Sequence, residues 1–358
     1  MKIALLNLPY DNNYGGNLQR YALVKVLQKM GHEVIHLNLR FDFTLPWYKR
    51  PIYYAKILAK KILLKHDIKI FDTPQKKYEQ KCSITDSFYQ QYVPHTAFIT
   101  NGKSLSKYVD YDAFIVGSDQ VWRKKVANKY LSYMFFAHLQ NINKPKIACA
   151  ISFGTDANEM TDDEISYYGN LYQKFTAVSA REKSGLSLLD KLGWNTPKAV
   201  HLLDPTFMLA KADYQKIINS SKTKTSKGNL FCYILDITQE KEDIIKQISL
   251  EKKLTPFYVS LNDNVSIPQW LRSFDDADFI ITDSFHGLVF SIIFNKPFKL
   301  IRNDFRGNAR FDSIIETFSL KENREISWNE VNHLITNKQK DFFNFIEQSL
   351  KKNENCIL

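Results

Sequence analysis

The stretch "FIITDSFHGLVFSIIFNKPF", residues 279–298, decides how the chain is read. It opens on a short run of β-branched and aromatic residues, the composition of a strand. Asp283, Ser284, His286 and Gly287 follow as a tight turn. The apolar segment "LVFSIIFN" is then long enough for a buried helix, which the spacing predicts to begin after Gly287. Asn295 and Pro297 close it, and "FKLIR" reads as the next strand. A strand joined through a helix to another strand is a βαβ unit, so its two strands run parallel.

Outward from this unit the same pattern recurs. "KIALLNL", "EVIHLNL", "AFIVGSD", "KIACAISF" and "FTAVSARE" read as strands, as do "AVHLLDP", "LFCYILD" and "TPFYVSL". Several are apolar throughout, as strands of a parallel sheet covered on both faces are. Helical patterns such as 17–30 and 240–253 separate them. The alternation breaks near 205–228, where "NSSKTKTSKGN" is polar and rich in Ser, Thr and Lys, and then restarts. The expected architecture is α/β with two Rossmann-like domains, 1–205 and 206–335, followed by a helix over 336–358 that packs back on the first. Ligands in such folds bind beyond the carboxyl ends of the strands, here in the cleft between the two halves.

Residues 41–110 stand outside the alternation and read as an insertion. Within them, "WYKRPIYYAKILAKKILLKH" (47–66) holds Lys49, Arg50, Lys56, Lys60, Lys61 and Lys65 and no acidic residue. Tyr54, Leu58 and Ile62 recur at helical spacing, with Lys56 and Lys60 on the opposite face. Such a helix can lie on an anionic leaflet, or be a solvated helix packed on its domain.

The 358 residues carry a formal charge of +11, which points to an anionic partner. There is no zinc-finger spacing or RNA-binding signature, so nucleic acid is not the expected partner. "MKIALLNL" reads as a strand, not a leader, and no apolar run is long enough to span a bilayer. The four cysteines are scattered without a CxxC pair, which fits a reducing compartment. No metal-ligand cluster is visible, and neither metal nor cofactor is expected.

Four places carry candidate chemistry. The first strand leads into a loop with Asn13, Gly15 and Gly16 and then a helix. Glycines let the backbone approach a ligand and the helix start attracts anions, but the pattern is neither GxGxxG nor a Walker motif. "YDAFIVGSDQVWR" (111–123) brings Ser118, Asp119, Gln120 and Trp122 to a strand end. Asp and Gln can grip sugar hydroxyls and an indole can stack on a pyranose; equally, Asp can cap a helix and Trp can fill a core. "AVSAREKSG" (177–185) offers Arg181, suited to a carboxylate or phosphate, or to a surface pair with Glu182. At the opening stretch, His286 stands at a helix start, where it can donate to an anion or exchange a proton near neutral pH. Gly287 would allow close backbone approach and Ser284 would cap the helix. Downstream lie Arg302, Arg306 and Arg310, the last also able to pair with Asp312.

Taken in order, "YGGNLQRYAL", "FIVGSDQVW", "ISFGTD", "SAREKSG", "LLDPTFML" and "DSFHGLVFSIIFNKPF" resemble the polysaccharide pyruvyl transferases over about 10–320. The resemblance implies a GT-B-like fold, two Rossmann-type domains facing across a cleft. It also implies that phosphoenolpyruvate gives its three-carbon unit to two hydroxyls of one sugar, making a cyclic ketal. Acceptors in such enzymes are surface-glycan precursors (capsule, exopolysaccharide or wall polymer), often lipid-linked, modified on the cytoplasmic side of the bacterial membrane. By the same resemblance Arg181 and His286 bind the donor with Ser284, Gly287 and a downstream arginine, Arg306 or else Arg310. Asn13, Gly15, Gly16, Gln19, Ser118, Asp119, Gln120 and Trp122 fall on the acceptor side. Segment 41–110 departs from the pattern. Two other readings stay open: a GT-B glycosyltransferase using a nucleotide sugar, and a non-catalytic scaffold of a glycan-assembly complex.

Overall fold

The computed structural model describes residues 1–64, 73–259, 263–302, 308–320 and 325–351, with side chains in the basic helix described as far as 59. Among them are ten strands, in the order the apolar runs predict: β1 (Lys2–Leu6), β2 (Glu33–His36), β3 (Ala113–Val116), β4 (Lys146–Ile151), β5 (Ala177–Ala180), β6 (Val200–His201), β7 (Leu230–Tyr233), β8 (Pro256–Tyr258), β9 (Phe279–Thr282) and β10 (Phe298–Leu300). They form two sheets, in the orders β2-β1-β3-β4-β5-β6 and β10-β9-β7-β8. Every pairing within both sheets is parallel. β3, β4, β5 and β7 are buried along their whole length, which is why their sequences do not alternate. Two parallel α/β sheets face each other, a GT-B-like arrangement.

The helices differ from expectation at their starts. The first runs Tyr14–Lys29, not 17–30, because the Asn13 side chain accepts from the Gly16 backbone N–H at 3.1 Å and caps it. Gly15 and Gly16 therefore lie in the first helical turn and not in a loop. Likewise the helix after β9 runs Phe285–Ile293, so His286 and Gly287 belong to its first turn. The last helix spans Trp328–Lys351, beginning eight residues ahead of the expected start.

Within 41–110 the chain forms two helices, Arg50–Leu64 and Pro74–Tyr92. The second buries Tyr78, Cys82, Thr85, Phe88 and Tyr89. Tyr10 ties into it, its hydroxyl 2.7 Å from Thr85 Oγ1. One apolar core runs through both halves: Leu5 and Leu18 belong to the same cluster as Phe231, Trp270 and Phe290. The last helix adds Val331, Phe342, Ile346 and Leu350 to it, and Gln339 donates to the Phe207 carbonyl at 2.8 Å.

That helix is thus part of the shared core. Phe342 is fully buried. We expect Phe342→Ala to cost about 3–5 kcal/mol in urea unfolding, and a loss under 1 kcal/mol would show the helix to be dispensable.

Candidate active site

Both sheets reverse their strand order once, β1 beside β3 in the first and β7 beside β9 in the second. Such switch points open a crevice at the carboxyl ends of the strands. Here the two crevices face each other and merge into a cavity of about 290 Å³. Asn13, Gly15, Asp119, Gln120 and Arg123 line it from one side, Leu235, Ser284, His286 and Arg310 from the other. A larger hollow of about 430 Å³ lies against Lys146 and Thr176, where β4 and β5 begin. That is the wrong end of the strands for a switch-point site.

Beneath the cleft lies Arg181, whose side chain is 1% exposed. Its Nη2 meets Asp119 Oδ1 at 2.8 Å and its Nη1 meets Asp204 Oδ2 at 3.0 Å. Its Nε is 3.6 Å from Glu182 Oε2. Arg181, Asp119 and Asp204 come from the loops after β5, β3 and β6, so one guanidinium ties three strand ends together. Each carboxylate is held in turn. Asp204 Oδ1 accepts from the Thr206 N–H at 3.0 Å and hydroxyl at 2.7 Å, and Oδ2 also accepts from Gln19. Glu182 Oε1 accepts from Ser152 Oγ at 2.7 Å and from the Phe153 and Gly154 N–H groups at 2.9 and 3.2 Å. Gln19 also reaches Ser118 Oγ at 3.3 Å. Burial alone would lower the Arg181 pKa, but Asp119, Asp204 and Glu182 outweigh it and raise it above the usual value.

Asp119 is the one of the three carboxylates with appreciable exposure, 17% against 0% for the others. Its backbone φ is 77°, a left-handed value that costs a non-glycine residue free energy. Burial pushes its carboxyl pKa up, yet Arg181, His286 and Arg310 together bring it below the usual range. An ionised carboxylate is therefore presented at the cleft floor.

The opposite wall supplies His286. Its ring lies directly over Gly15: a Cβ there would come within 1.9 Å of Nδ1. Its Nε2 is 3.9 Å from Asp204 Oδ2 and, though buried, has no hydrogen-bond partner among the described residues. Burial pushes its pKa down to about 4, against the opposing pull of Asp204 and Asp119. The imidazole is thus neutral at pH 7, and not poised near neutrality as its position in the sequence implies. Beside it the Phe285 ring lies between two guanidiniums, Arg181 Cζ at 4.6 Å and Arg310 Cζ at 5.4 Å from its centroid. Burial, with repulsion from Arg181, pushes the Arg310 pKa down to about 10.

Several expected roles change. Trp122 is fully buried, stacked on Phe135 at 4.4 Å, with Nε1 donating to the Met134 carbonyl; a core indole cannot stack on a sugar. A Cβ at Gly287 would come within 2.0 Å of Thr282 Oγ1, so this glycine seats the helix on its strand and does not admit a ligand. Ser284 stands at the N-cap but makes no side-chain cap bond. Gln19 and Ser118 are buried supports beneath the cleft. Arg181 and Glu182 form a buried pair, not a surface one. Asp312 pairs with Arg302 at 2.7 Å, while Arg310 lines the cleft. Arg306 lies outside the described residues. Asn13, Gly15, Asp119 and Gln120 do line the cavity. Sequence reasoning assigned nothing to Asp204 or Arg123. The signal for Asp204 was the "LLDPTF" segment, an Asp-Pro after a strand.

A family model described as polysaccharide pyruvyl transferase matches residues 13–304. No curated protein matches the sequence. Among solved structures, Staphylococcus aureus MnaA bound to UDP is 13% identical, over 98% of this chain and 91% of that one, with a TM-score of 0.46. The UDP-GlcNAc 2-epimerase of Neisseria meningitidis is 9% identical, over 98% and 94%, with a TM-score of 0.47. Anabaena Alr3699/HepE in complex with UDP is 11% identical, over 100% and 99%, with a TM-score of 0.42. At these values the likenesses carry nothing about substrate.

The contact between Gly15 and His286 joins the two halves and can be tested directly. A first-turn Gly→Ala change ordinarily stabilises a helix by up to about 1 kcal/mol. Gly15→Ala should instead destabilise the protein by about 1–3 kcal/mol through overpacking. Adding His286→Ala should recover most of that loss in thermal unfolding. Simply additive losses would show that the ring does not occupy the space above Gly15.

Proposed function

The chain belongs to the polysaccharide pyruvyl transferase family, and from that premise we propose that its cleft moves the pyruvyl unit of phosphoenolpyruvate onto two hydroxyls of one sugar in a surface-glycan precursor. The observation that supports this most is His286: a buried imidazole with an unpartnered Nε2, beside two arginines where the two switch points meet.

The cleft suits a polyanion whose binding is coupled to protonation of His286. Arg310 lines it as a cation, and the first turn of the helix Phe285–Ile293 adds its positive end. Arg181 does not serve as a free cation, because its charge is already met by three carboxylates. Its part is to hold Asp119 and the strand ends in place. A donor phosphate and carboxylate next to His286 favour the imidazolium and so raise its pKa. Arginines titrate too high to give up a proton near pH 7, and Asp119 stays ionised, so the imidazolium is the acid available there.

The reaction then balances. Protonation of enol carbon 3 leaves an oxocarbenium-like centre at carbon 2. One sugar hydroxyl adds at carbon 2, the bond from carbon 2 to the phosphate oxygen breaks, and the neighbouring hydroxyl closes the ketal. Of the two hydroxyl protons released, one makes up the new methyl group and the other leaves on hydrogen phosphate. His286 serves as the carrier of these protons. Asp119, across the cleft, accepts a hydrogen bond from an acceptor hydroxyl and orients it.

Incubation with phosphoenolpyruvate and candidate sugar precursors, read by mass spectrometry, tests this. The expected product is heavier than its acceptor by the mass of pyruvic acid less one water, and His286→Ala should slow its formation by about 10²–10⁴-fold. Transfer from a nucleotide sugar with phosphoenolpyruvate inert would establish a glycosyltransferase instead. Glycan assembly that persists with His286→Ala, with no such product, would establish a scaffold.

A further inference from the structure

Large hydrophobic side chains are concentrated where a folded domain has no use for them. Of the thirteen such residues exposed among the described ones, five fall between 43 and 58: Phe43, Trp47, Tyr48, Ile52 and Leu58. Trp47 is 80% exposed and Ile52 61%. A short turn, Trp47–Lys49, leads into the helix Arg50–Leu64. At about 100° per residue, Ile52, Ala55, Leu58 and Ala59 share one side, and all four are exposed. Tyr53, Tyr54 and Ile57 occupy the other side and are half-buried. The helix therefore leaves one aliphatic side uncovered, which a helix fully packed on its domain does not.

The charge says what covers that side. Residues 47–66 hold six Lys and Arg and no Asp or Glu. None of Lys49, Arg50 and Lys56 has a carboxylate partner among the described residues; Arg50 Nε instead donates to the Leu45 carbonyl at 3.2 Å, tying the helix start to the preceding segment. Fifteen residues of helix reach about 22 Å, too short to span a bilayer, and no described helix is long and apolar enough to do so. Exposed aliphatics flanked by basic residues, with Trp and Tyr at one end, are the chemistry of a helix lying in the plane of a membrane interface.

We propose that the segment 47–64 docks this protein on an anionic lipid surface, with Trp47, Tyr48, Ile52 and Leu58 entering the headgroup boundary and the basic side chains meeting lipid phosphates. The position fits a membrane-borne acceptor. Phe43 lies 5.4 Å from Tyr78, and both line an apolar cavity of about 320 Å³ that also touches Asp11 and Asn12, in the loop that enters the cleft at Asn13. The lipid contact itself does not depend on which reaction the cleft performs.

Flotation of the full chain with vesicles tests it. Vesicles of equal parts phosphatidylglycerol and phosphatidylcholine should carry the protein up, and phosphatidylcholine alone should bind it at least about tenfold more weakly, with added salt weakening the anionic case. Trp47→Ser/Ile52→Ser/Leu58→Ser and, separately, Lys49→Glu/Arg50→Glu/Lys56→Glu should each reduce binding at least about tenfold with thermal unfolding unchanged. The proposal is overturned if the wild type does not float with anionic vesicles, if it floats equally on neutral ones, or if neither triple variant changes its partition. Self-association in sedimentation velocity that the apolar variant abolishes, without lipid binding, would assign the face to a second copy of the chain.

Discussion

The Arg181 guanidinium, closed in by Asp119, Asp204 and Glu182, is the interaction on which the site depends. A buried arginine left alone would be very costly, and three carboxylates left without it costlier still; together, with Asp204 Oδ1 and Glu182 Oε1 also hydrogen-bonded, they form a fixed network. Its members follow β3, β5 and β6, and Ser152 and Phe153 after β4 hold Glu182, so it ties together the carboxyl ends of four adjacent strands of the first sheet. It also explains why an ionised Asp119 is held at the cleft floor on a left-handed backbone. Arginine at 181 is thus a positioning residue first. Its loss would damage the fold as well as the site, which makes variants at 181 poor reporters of chemistry.

The second constraint is charge. Two guanidiniums, Arg181 and Arg310, stand among three carboxylates, and burial keeps His286 neutral at pH 7. Among these described side chains carboxylates outnumber guanidiniums by one where a polyanionic donor is proposed to bind. Lys241 and Asp283, paired at 2.7 Å, cancel one another, as do Arg123 and Glu159 at 3.2 Å. The imbalance is relieved if His286 takes up a proton from solvent as the donor binds. Proton uptake and donor binding then become one event, and the acid needed at the enol carbon exists only when the donor is there. Gly15 makes the geometry for this, because only a residue without a side chain leaves room for the ring between the halves.

Much of the architecture was legible because parallel strands buried on both faces announce themselves. All ten runs read as strands are strands, and the unit at 279–298 is βαβ as read. Helix starts were less legible: Asn13 and Ser284 lie one residue before helices that sequence reasoning began later, since cap geometry depends on backbone angles that spacing does not reveal. Trp122 and Arg181 show a different limit. An indole or a guanidinium after a strand looks available for a ligand, and only the packing shows Phe135 against the one and carboxylates from 62 and 23 positions away against the other. His286 was visible as a candidate, but burial, which a sequence does not state, sets its charge.

Calorimetric titration of phosphoenolpyruvate into the protein near pH 7, where the donor phosphate is already largely ionised, in buffers of different ionisation enthalpy, measures that coupling directly. His286, whose pKa burial pushes down to about 4, is almost wholly unprotonated at that pH and gains a proton only if the bound donor raises its pKa past 7. The account predicts uptake approaching one proton per donor bound, fading as the pH rises above the raised value, and absent in His286→Ala. Binding of the donor with no proton uptake, or with the same uptake in the alanine variant, would contradict it.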